Sequence, residues 1–300
     1  MDLSRLEHHV ADINGVELHW VATGEGPLVL FLHGFPEFWY GWRHQLTGMG
    51  EGFRCVAPDQ RGYNLSAKPD GIESYRIRHL IGDVAALADR LSPNRRFVLV
   101  AHDWGGAVAW AYALKHPGRL AGLVIMNATH PATFQRELRN SPAQRAASDY
   151  MGRFRDAGIE ERLSANDFAE LWSFSLGPLE ARGLIDPATA RAYRDAWARP
   201  GALTAMLNWY RAMRLNPDED PAKAKAPYDE SALVVKVPTL VLWGMRDHAL
   251  LPGCIEGLDA YVPDLQLVRF PEATHWIAQE EAAAVTDHIR RFAAARLGHD

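Results

Sequence analysis

Residues 97–118, FVLVAHDWGGAVAWAYALKHPG, decide the fold of this chain. The apolar stretch from Phe97 to Ala101 predicts a strand, and a strand that is apolar on both faces is typical of the interior of a parallel sheet. The chain then turns through residues 102–106, HDWGG, into an alanine-rich stretch that predicts a helix and stops at Pro117-Gly118. A buried strand, a tight turn and a helix form the repeating unit of an α/β fold.

The same alternation continues on both sides of this unit. Short apolar or β-branched runs predict further strands, and one stretch with a 3.6-residue period predicts an amphipathic helix. The predicted strands are Val16 to Ala22, Pro27 to His33, Phe53 to Pro58, Leu120 to Asn127, Thr239 to Trp243 and Leu265 to Phe270, and the helix runs from Ile77 to Leu91.

The interval between Asn127 and Val234 lacks a strand pattern. It is rich in alanine, arginine and tryptophan and is broken by several prolines, so it predicts a set of short helices. We interpret it as a helical insertion in a sheet that resumes near Val234. Repeats with a period of 20–50 residues are absent from the sequence, which argues against solenoids and propellers.

Composition narrows the classes of function. The 300 residues include 32 Lys and Arg against 37 Asp and Glu, a formal net charge of −5, so an electrostatic footprint for nucleic acid is lacking. Runs of 18 apolar residues and a signal-peptide pattern are absent, so we expect a soluble, cytoplasmic protein without membrane contact. The two cysteines, Cys55 and Cys254, could form at most one disulfide and do not lie in a CxxC pair.

Ligands of doubly wound sheets bind at the carboxyl ends of strands, and polar residues follow several predicted strands. Asp103 follows the strand at 97–101 and is flanked two positions away on each side by Ala101 and Gly105. Small flanking residues around a nucleophilic oxygen predict a nucleophile elbow. The alternative is an aspartate that simply caps the following helix.

Two further residues favour the elbow. Asp247 and His275 each follow a predicted strand later in the chain, in the order nucleophile, acid, base that elbow-containing hydrolases use. Taken alone, His275 could be a structural histidine and Asp247 a turn residue. Because all three lie at strand ends, we interpret them together as a catalytic triad.

With these residues the chain resembles the α/β-hydrolase superfamily, and within it the epoxide hydrolases, which are related to haloalkane and fluoroacetate dehalogenases. The resemblance spans nearly the whole sequence. It rests on HGFPEFWYGWRHQL at 33–46, DQRGYNLSAKP at 59–69, AHDWGG at 101–106, NWYR at 208–211 and ATHW at 273–276.

The resemblance implies a mostly parallel eight-stranded sheet flanked by helices. It implies a core domain of residues 1–129 and 231–300 and a helical cap, or lid, of residues 130–230. In the loop after the third strand the family commonly has glycine where Asn64 stands. Asparagine tolerates positive φ better than other non-glycine residues, so we expect that turn to be kept.

The identity of the nucleophile points to the chemistry. A carboxylate can attack an sp³ carbon and become an alkyl ester, which favours epoxides or carbon–halogen bonds over esters as substrates. His275, oriented by Asp247, would activate the water that cleaves this ester. The resemblance places the oxyanion hole at the backbone N–H groups of Phe35 and Trp104.

The leaving group separates the two substrate classes. An opened epoxide leaves an alkoxide that needs a proton, and epoxide hydrolases supply two cap tyrosines for it. Tyr210 closely matches the second cap tyrosine of the family, and Tyr150 matches the first cap tyrosine less closely. The alternative for either residue is a tyrosine that only packs its ring in the cap.

Dehalogenases are the alternative within the same scaffold. Haloalkane dehalogenases share the Asp103-Trp104 pair but usually carry asparagine where Phe35 stands. Fluoroacetate dehalogenases have a D-R-G-x-R pattern that clamps a carboxylate, and Trp104 and Ala107 occupy its two arginine positions here. The sequence therefore favours epoxide hydrolysis, and a protein that binds without turnover is the remote alternative.

The remaining expectations concern ligands and partners. The resemblance implies that His33, Pro36, Trp104 and Trp276 contact the substrate, a small apolar or amphipathic epoxide, with water as the second reactant. The sequence has neither a metal-ligand spacing nor a phosphate-binding glycine loop, so we expect no metal and no cofactor. We expect a monomer or a homodimer.

Overall fold

An eight-stranded sheet organises the part of the chain that the computed structural model describes, residues 3–213 and 230–298. The strand order is β1-β2-β4-β3-β5-β6-β7-β8. The first two pairings, β1 with β2 and β2 with β4, are antiparallel, and the other neighbouring strands are parallel. The strands are β1 (Glu7–Ile13), β2 (Val16–Thr23), β3 (Leu28–Leu32), β4 (Arg54–Pro58), β5 (Phe97–His102), β6 (Leu120–Met126), β7 (Thr239–Gly244) and β8 (Leu265–Phe270).

Helices connect and flank these strands. Between β6 and β7, seven α-helices separated by turns lie between Pro131 and Ala212. The α-helices are α1 (Arg43–Gly48), α2 (Ile77–Leu91), α3 (Asp103–Lys115), α4 (Pro131–Asn140), α5 (Pro142–Ala147), α6 (Asp149–Arg153), α7 (Ile159–Phe174), α8 (Gly177–Ala181), α9 (Pro187–Trp197), α10 (Ala202–Ala212), α11 (Ile277–Glu280) and α12 (Ala282–Leu297).

The predicted α/β fold is confirmed, and so are the seven strands predicted from apolar patterning, to within one or two residues at their ends. The pattern missed β1, because its sequence EHHVADI is mostly exposed and carries few apolar residues. This edge strand forms a hairpin with β2. Its turn, Asn14-Gly15, has positive φ at both positions, as a two-residue hairpin requires.

Burial explains why the central strands were easy to recognise. Every residue of β3, β5, β6 and β7 is buried, whereas the edge strand β8 is half-buried. Parallel strands covered on both faces become continuously apolar. The sheet therefore forms the core, and its strand ends are fixed in place by that core.

The helices α4 to α10 and the turns between them, which we call the insertion, contact the core through several hydrogen bonds. The indole Nε1–H of Trp209 donates to the carbonyl of Arg61 over 3.1 Å, and Arg199 Nε donates to Asn64 Oδ1 over 2.8 Å. Asn64 has a φ of 39°, so the turn expected there is kept. The domain limits at 129/130 and 230/231 stay a prediction, and residues 214–229 lie outside the described residues.

Across residues 3–213 and 230–298, the helices are all too short or too polar to cross a membrane. Cys55 and Cys254 are both free and buried.

Candidate active site

Asp103 begins α3 directly after β5 and has a φ of 51°, in the left-handed region that non-glycine residues rarely occupy. This strained turn needs small neighbours. A Cβ at Gly105 would overlap the carbonyl oxygens of Leu32 and His33, and a Cβ at Gly34 would overlap the Asp103 side chain. The geometry is therefore that of a nucleophile elbow, which presents the carboxylate above the sheet.

The two oxygens of the Asp103 carboxylate have different surroundings. Oδ1 accepts a hydrogen bond of 2.7 Å from the backbone N–H of Phe35, in the loop after β3. Oδ2 lies 3.6 Å from Nε2 of His275. Burial alone would raise the pKa of this carboxyl, but the nearby positive charge of His275, with the Phe35 N–H, holds it below its ordinary value. Asp103 is therefore ionised and ready to attack.

His275 lies between two carboxylates. Its Nδ1–H donates to Asp247 Oδ2 over 2.7 Å, while Nε2 faces Asp103. Burial opposes the charged imidazolium, yet the charge of Asp247, the hydrogen bond to it and the nearby Asp103 carboxylate raise the pKa of His275 well above 6.5. In the free protein this histidine is therefore protonated at neutral pH.

Asp247 is completely enclosed by donors. Its Oδ1 accepts from the backbone N–H groups of Ala249 and Leu250, at 2.8 and 2.9 Å. Burial favours the neutral acid, but the charge and hydrogen bond of His275 and these donors lower the pKa of Asp247 below its ordinary value. The carboxylate thus stays ionised and fixes the orientation of the His275 ring.

Asn127, which the sequence analysis missed, is a further donor to Asp247. Its Nδ2 lies 2.8 Å from Asp247 Oδ2, the oxygen that also accepts from His275. The side-chain amide of Asn127 also accepts a hydrogen bond of 2.8 Å from the Gly244 N–H and donates one of 3.2 Å to the Gly244 carbonyl. Asn127 is fully buried, with a φ of 36°, directly after β6. A polar residue at a strand end was the available signal.

A second unpredicted group lies behind His275. Nε2–H of His102 donates to the carbonyl of His275 over 2.8 Å, and Nδ1 of His102 lies 3.3 Å from the buried carboxylate of Glu37. Glu37 also accepts from Tyr193 and from Gln279. Nothing in the local pattern pointed to Glu37.

A cavity of about 360 Å³ opens in front of Asp103. Its wall is predominantly apolar and includes residues of the core and of the insertion. The residues that line it are Tyr75, Arg76, Ile77, Arg78, Leu80, Asp103, Trp104, Ala107, Ala111, Ala128, Thr129, Pro131, Phe134, Tyr150, Met151, Trp209, Ala212, Met213 and Leu250. Such a volume suits a small organic molecule.

Both predicted tyrosines lie on the insertion above Asp103. Tyr150, on α6, lines the cavity, and Tyr210, on α10, packs edge-on against Trp104 and Phe35 at ring distances of 5.1 and 5.2 Å. The two phenol rings are 6.2 Å apart. Burial, with a smaller contribution from the Asp103 carboxylate, raises both phenol pKa values well above 10. Both tyrosines are therefore protonated and able to donate.

The other residues predicted to contact the substrate pack against protein groups around the site. Both ring nitrogens of His33 have partners in the protein, the carbonyl of Gly34 and the N–H of Gln60. Trp276 packs edge-on against His275, with ring centres 5.0 Å apart. Trp104 lines the cavity. Among the described residues that line it, His33, Pro36 and Trp276 are absent. Their substrate contact stays a prediction, as does the Trp104 N–H in the oxyanion hole.

The described residues contain no group of three or more histidine, cysteine or acidic side chains arranged to hold a metal ion. The candidate site instead combines one ionised carboxylate, an imidazolium between two carboxylates, and two neutral phenols. This set can perform nucleophilic attack and proton transfer with protein groups alone.

This chain is similar to several known proteins. Residues 27–282 match the family described as alpha/beta hydrolase fold. The AB hydrolase superfamily protein YfhM of Bacillus subtilis is 39% identical over 93% of this chain and 95% of its own length. Epoxide hydrolase 1 of Caenorhabditis elegans is 34% identical over 92% of this chain and 68% of its own. The crystal structure of a Bacillus megaterium epoxide hydrolase with an inhibitor superposes with a TM-score of 0.89, at 34% identity, covering 95% of this chain and 99% of that one.

Proposed function

The chain belongs to the alpha/beta hydrolase fold family and is a hydrolase, and from this premise we propose that it converts epoxides to vicinal diols through an ester on Asp103. One observation carries the proposal. The ionised carboxylate of Asp103 shares an apolar cavity with the protonated phenol of Tyr150, and the second protonated phenol, Tyr210, packs on Trp104 beside the elbow. An epoxide needs a nucleophile on its carbon and a proton donor on its oxygen at the same time.

The surroundings of Asp103 assign its two oxygens different tasks. Oδ1 is engaged by the Phe35 N–H, so Oδ2 is the oxygen that attacks the epoxide carbon. The new bond joins Oδ2 to this carbon, and the ring C–O bond breaks. Oδ1 becomes the carbonyl oxygen of the ester and stays beside its donor.

The electron pair of the broken bond goes to the epoxide oxygen, where a proton is needed. Tyr150 and Tyr210 donate hydrogen bonds to this oxygen, and one of them gives up its proton. Trp104 contributes here, because it packs edge-on against Tyr210 and lowers the pKa of this phenol, against the larger effect of burial. The insertion thus supplies the acid of the first half-reaction.

Loss of the Asp103 charge then changes His275. The charge of Asp103 is among the causes that raise the pKa of His275, and the ester removes this charge. The imidazolium therefore becomes a better acid and returns a proton to the phenolate. Neutral His275 can now serve as the base of the second half-reaction.

Water completes the cycle. Neutral His275 removes a proton from a water molecule, whose oxygen adds to the carbonyl carbon of the ester. The charge that develops on Oδ1 is stabilised by the Phe35 N–H. When the tetrahedral intermediate collapses, the diol leaves with Oδ2 and takes the proton of the new carboxyl group, which restores ionised Asp103 and protonated His275.

A substrate panel tests the proposed activity. Purified protein is assayed with a styrene-type epoxide, a small alkyl bromide, a haloacetate and a chromogenic ester. We expect turnover of the epoxide to exceed that of the others by orders of magnitude, because two phenol donors serve an alkoxide leaving group. If the bromide is turned over faster than the epoxide, the proposed activity is wrong and the protein is a dehalogenase. Binding without turnover would indicate a non-catalytic role.

A labelling experiment tests the mechanism. In a single turnover in heavy-oxygen water, the label is expected in the peptide that contains Asp103, because water adds to its carboxyl carbon. The diol should carry the unlabelled oxygen of Asp103. Label that appears only in the diol would establish direct attack by water and contradict the ester.

A further inference from the structure

Helix α9 of the insertion donates two hydrogen bonds to consecutive residues of the loop that carries the Phe35 N–H. The indole Nε1–H of Trp197 lies 2.6 Å from the carbonyl oxygen of Pro36. The hydroxyl of Tyr193 donates to Glu37 Oε1 over 3.0 Å. Tyr193 and Trp197 are four residues apart and therefore share one face of the helix. Both side chains are buried, at 0% and 2% exposure.

The loop is short and depends on these bonds. Proline lacks an N–H, so the carbonyl is the one polar backbone group of Pro36, and Trp197 satisfies it. A turn bond of 3.0 Å from Glu37 N–H to the Gly34 carbonyl closes the loop around Phe35. On the core side, Gln279 of α11 donates to the same Glu37 oxygen over 2.7 Å. The loop is thus fastened between the insertion and the core.

We infer that Trp197, assisted by Tyr193, is a positioning residue that holds the Pro36 carbonyl so that the neighbouring Phe35 N–H stays directed at Asp103 Oδ1. The inference rests on the proposed function. On this inference, stabilisation of the negative charge on Oδ1 depends on how the insertion packs on the core, although the donor, the Phe35 N–H, belongs to the core. The attachment of α9 therefore prepares the core for the hydrolytic half-reaction.

The charge on Oδ1 gives this role a distinct kinetic signature. During ester formation Oδ1 loses negative charge, so the Phe35 N–H stabilises the starting carboxylate more than the transition state. During ester hydrolysis Oδ1 gains negative charge, and the same N–H stabilises the transition state. A displaced N–H therefore slows hydrolysis and leaves ester formation unchanged or faster, so the ester accumulates.

A loosened insertion has the opposite signature. Tyr150 and Tyr210 lie on the insertion and serve ester formation, so general loosening displaces the phenols and slows the first half-reaction. The ester then does not accumulate. Measuring the fraction of protein that carries the ester during turnover, by mass spectrometry, separates positioning of the loop from mere support of the insertion.

The test compares Trp197→Phe with Trp172→Phe. The Nε1–H of Trp172 donates over 2.7 Å to Glu180 within the insertion, so its loss removes the same kind of bond without touching the loop. We expect Trp197→Phe to slow ester hydrolysis about 10 to 100-fold, the range for small displacements of a reacting group. The ester fraction should rise, while Trp172→Phe keeps the wild-type fraction.

Three outcomes overturn the inference. They are an unchanged ester fraction in folded Trp197→Phe, a slower ester formation without accumulation, and an equal effect of Trp172→Phe. If Trp197→Phe does not fold, Tyr193→Phe decides by the same readout, since it removes one hydroxyl and should raise the ester fraction by a smaller factor. Absence of epoxide turnover by the wild-type protein would instead overturn the proposed function.

Discussion

The ends of the strands and the helices of the insertion contribute different kinds of group to the candidate site. The strand ends carry the charged residues Asp103, Asp247 and His275, and the insertion carries the neutral donors Tyr150 and Tyr210. On the proposed mechanism the strand ends perform the attack and the hydrolysis, and the insertion protonates the leaving oxygen. Substitutions in the two regions should therefore fail at different steps.

Removal of the nucleophile is the severest test of this division. Asp103→Ala is expected to lower epoxide turnover by at least about 10⁴-fold, because the phenols and the histidine have no substitute for the attacking oxygen. No ester should be found by mass spectrometry. Asp195→Ala, which removes an exposed carboxylate on α9, is the matched control and should keep full turnover. Turnover within tenfold of wild type in Asp103→Ala would mean that the strand ends do not supply the nucleophile.

His275→Gln should separate the two steps at the strand ends. Ionised Asp103 needs no base in order to attack, whereas hydrolysis does, so the ester is expected to form and persist. Loss of a general base costs about 10² to 10⁴-fold in rate. The readout is a mass increase equal to that of the epoxide. His288→Gln on α12 is the control. An inactive, folded variant that binds substrate but forms no ester would place His275 before the attack.

The two regions also differ in how far sequence alone could describe them. Apolar strand patterns located Asp103, Asp247 and His275, because strands of a parallel sheet end at one edge and so bring distant residues together. Those predictions needed no knowledge of side-chain packing. The strand β1 escaped because an exposed edge has no apolar signal.

The contacts of the insertion could not be predicted in this way. Short helices separated by prolines can pack in many arrangements, so the pattern gave helicity but not the side chains that face the core. The tyrosines came from a resemblance to a family. Neither route reached Trp197 or Glu37, because a buried indole and a buried carboxylate look like ordinary packing and surface residues until their partners are seen.

Substitution of the two tyrosines tests the contribution of the insertion to ester formation. Single Tyr150→Phe and Tyr210→Phe changes are expected to slow ester formation about 10 to 1,000-fold, non-additively, because one phenol partly replaces the other. Decay of a preformed ester should hardly change. The buried Tyr112 of α3 provides the matched control, as Tyr112→Phe removes a hydroxyl outside the site.

The double tyrosine variant decides between substrate classes. It is expected to lose epoxide turnover, while attack on a small alkyl bromide, which needs no proton, should survive. Full epoxide activity in the double variant would contradict the assignment of the phenols and favour dehalogenation as the main reaction.

The pH dependence should differ between the two steps. Hydrolysis needs neutral His275, so its rate should fall up to tenfold per pH unit below the pKa that this histidine has in the ester form. That pKa is lower than in the free protein, since the Asp103 charge is gone. Ester formation needs ionised Asp103, whose pKa is lowered, so its rate should stay flat over the same range. Single-turnover measurements from pH 5 to 8 check this, and a parallel fall of both rates would contradict the coupling.

The smallest expected effect concerns Asn127, which supports Asp247 from the end of β6. Asn127→Ala leaves buried partners unsatisfied and should lower the free energy of unfolding by about 1 to 3 kcal/mol. Asn64 is the matched control, because it is another buried asparagine with positive φ and a hydrogen bond to a buried carboxylate, Asp59. Both variants should lose stability.

Asn127→Ala alone should slow ester hydrolysis, by about tenfold if roughly 1.4 kcal/mol of the lost interaction belongs to the transition state. Denaturation curves and ester decay measured on the same samples separate the two contributions, and an equal slowing in Asn64→Ala would show that Asn127 acts through the fold and not through Asp247.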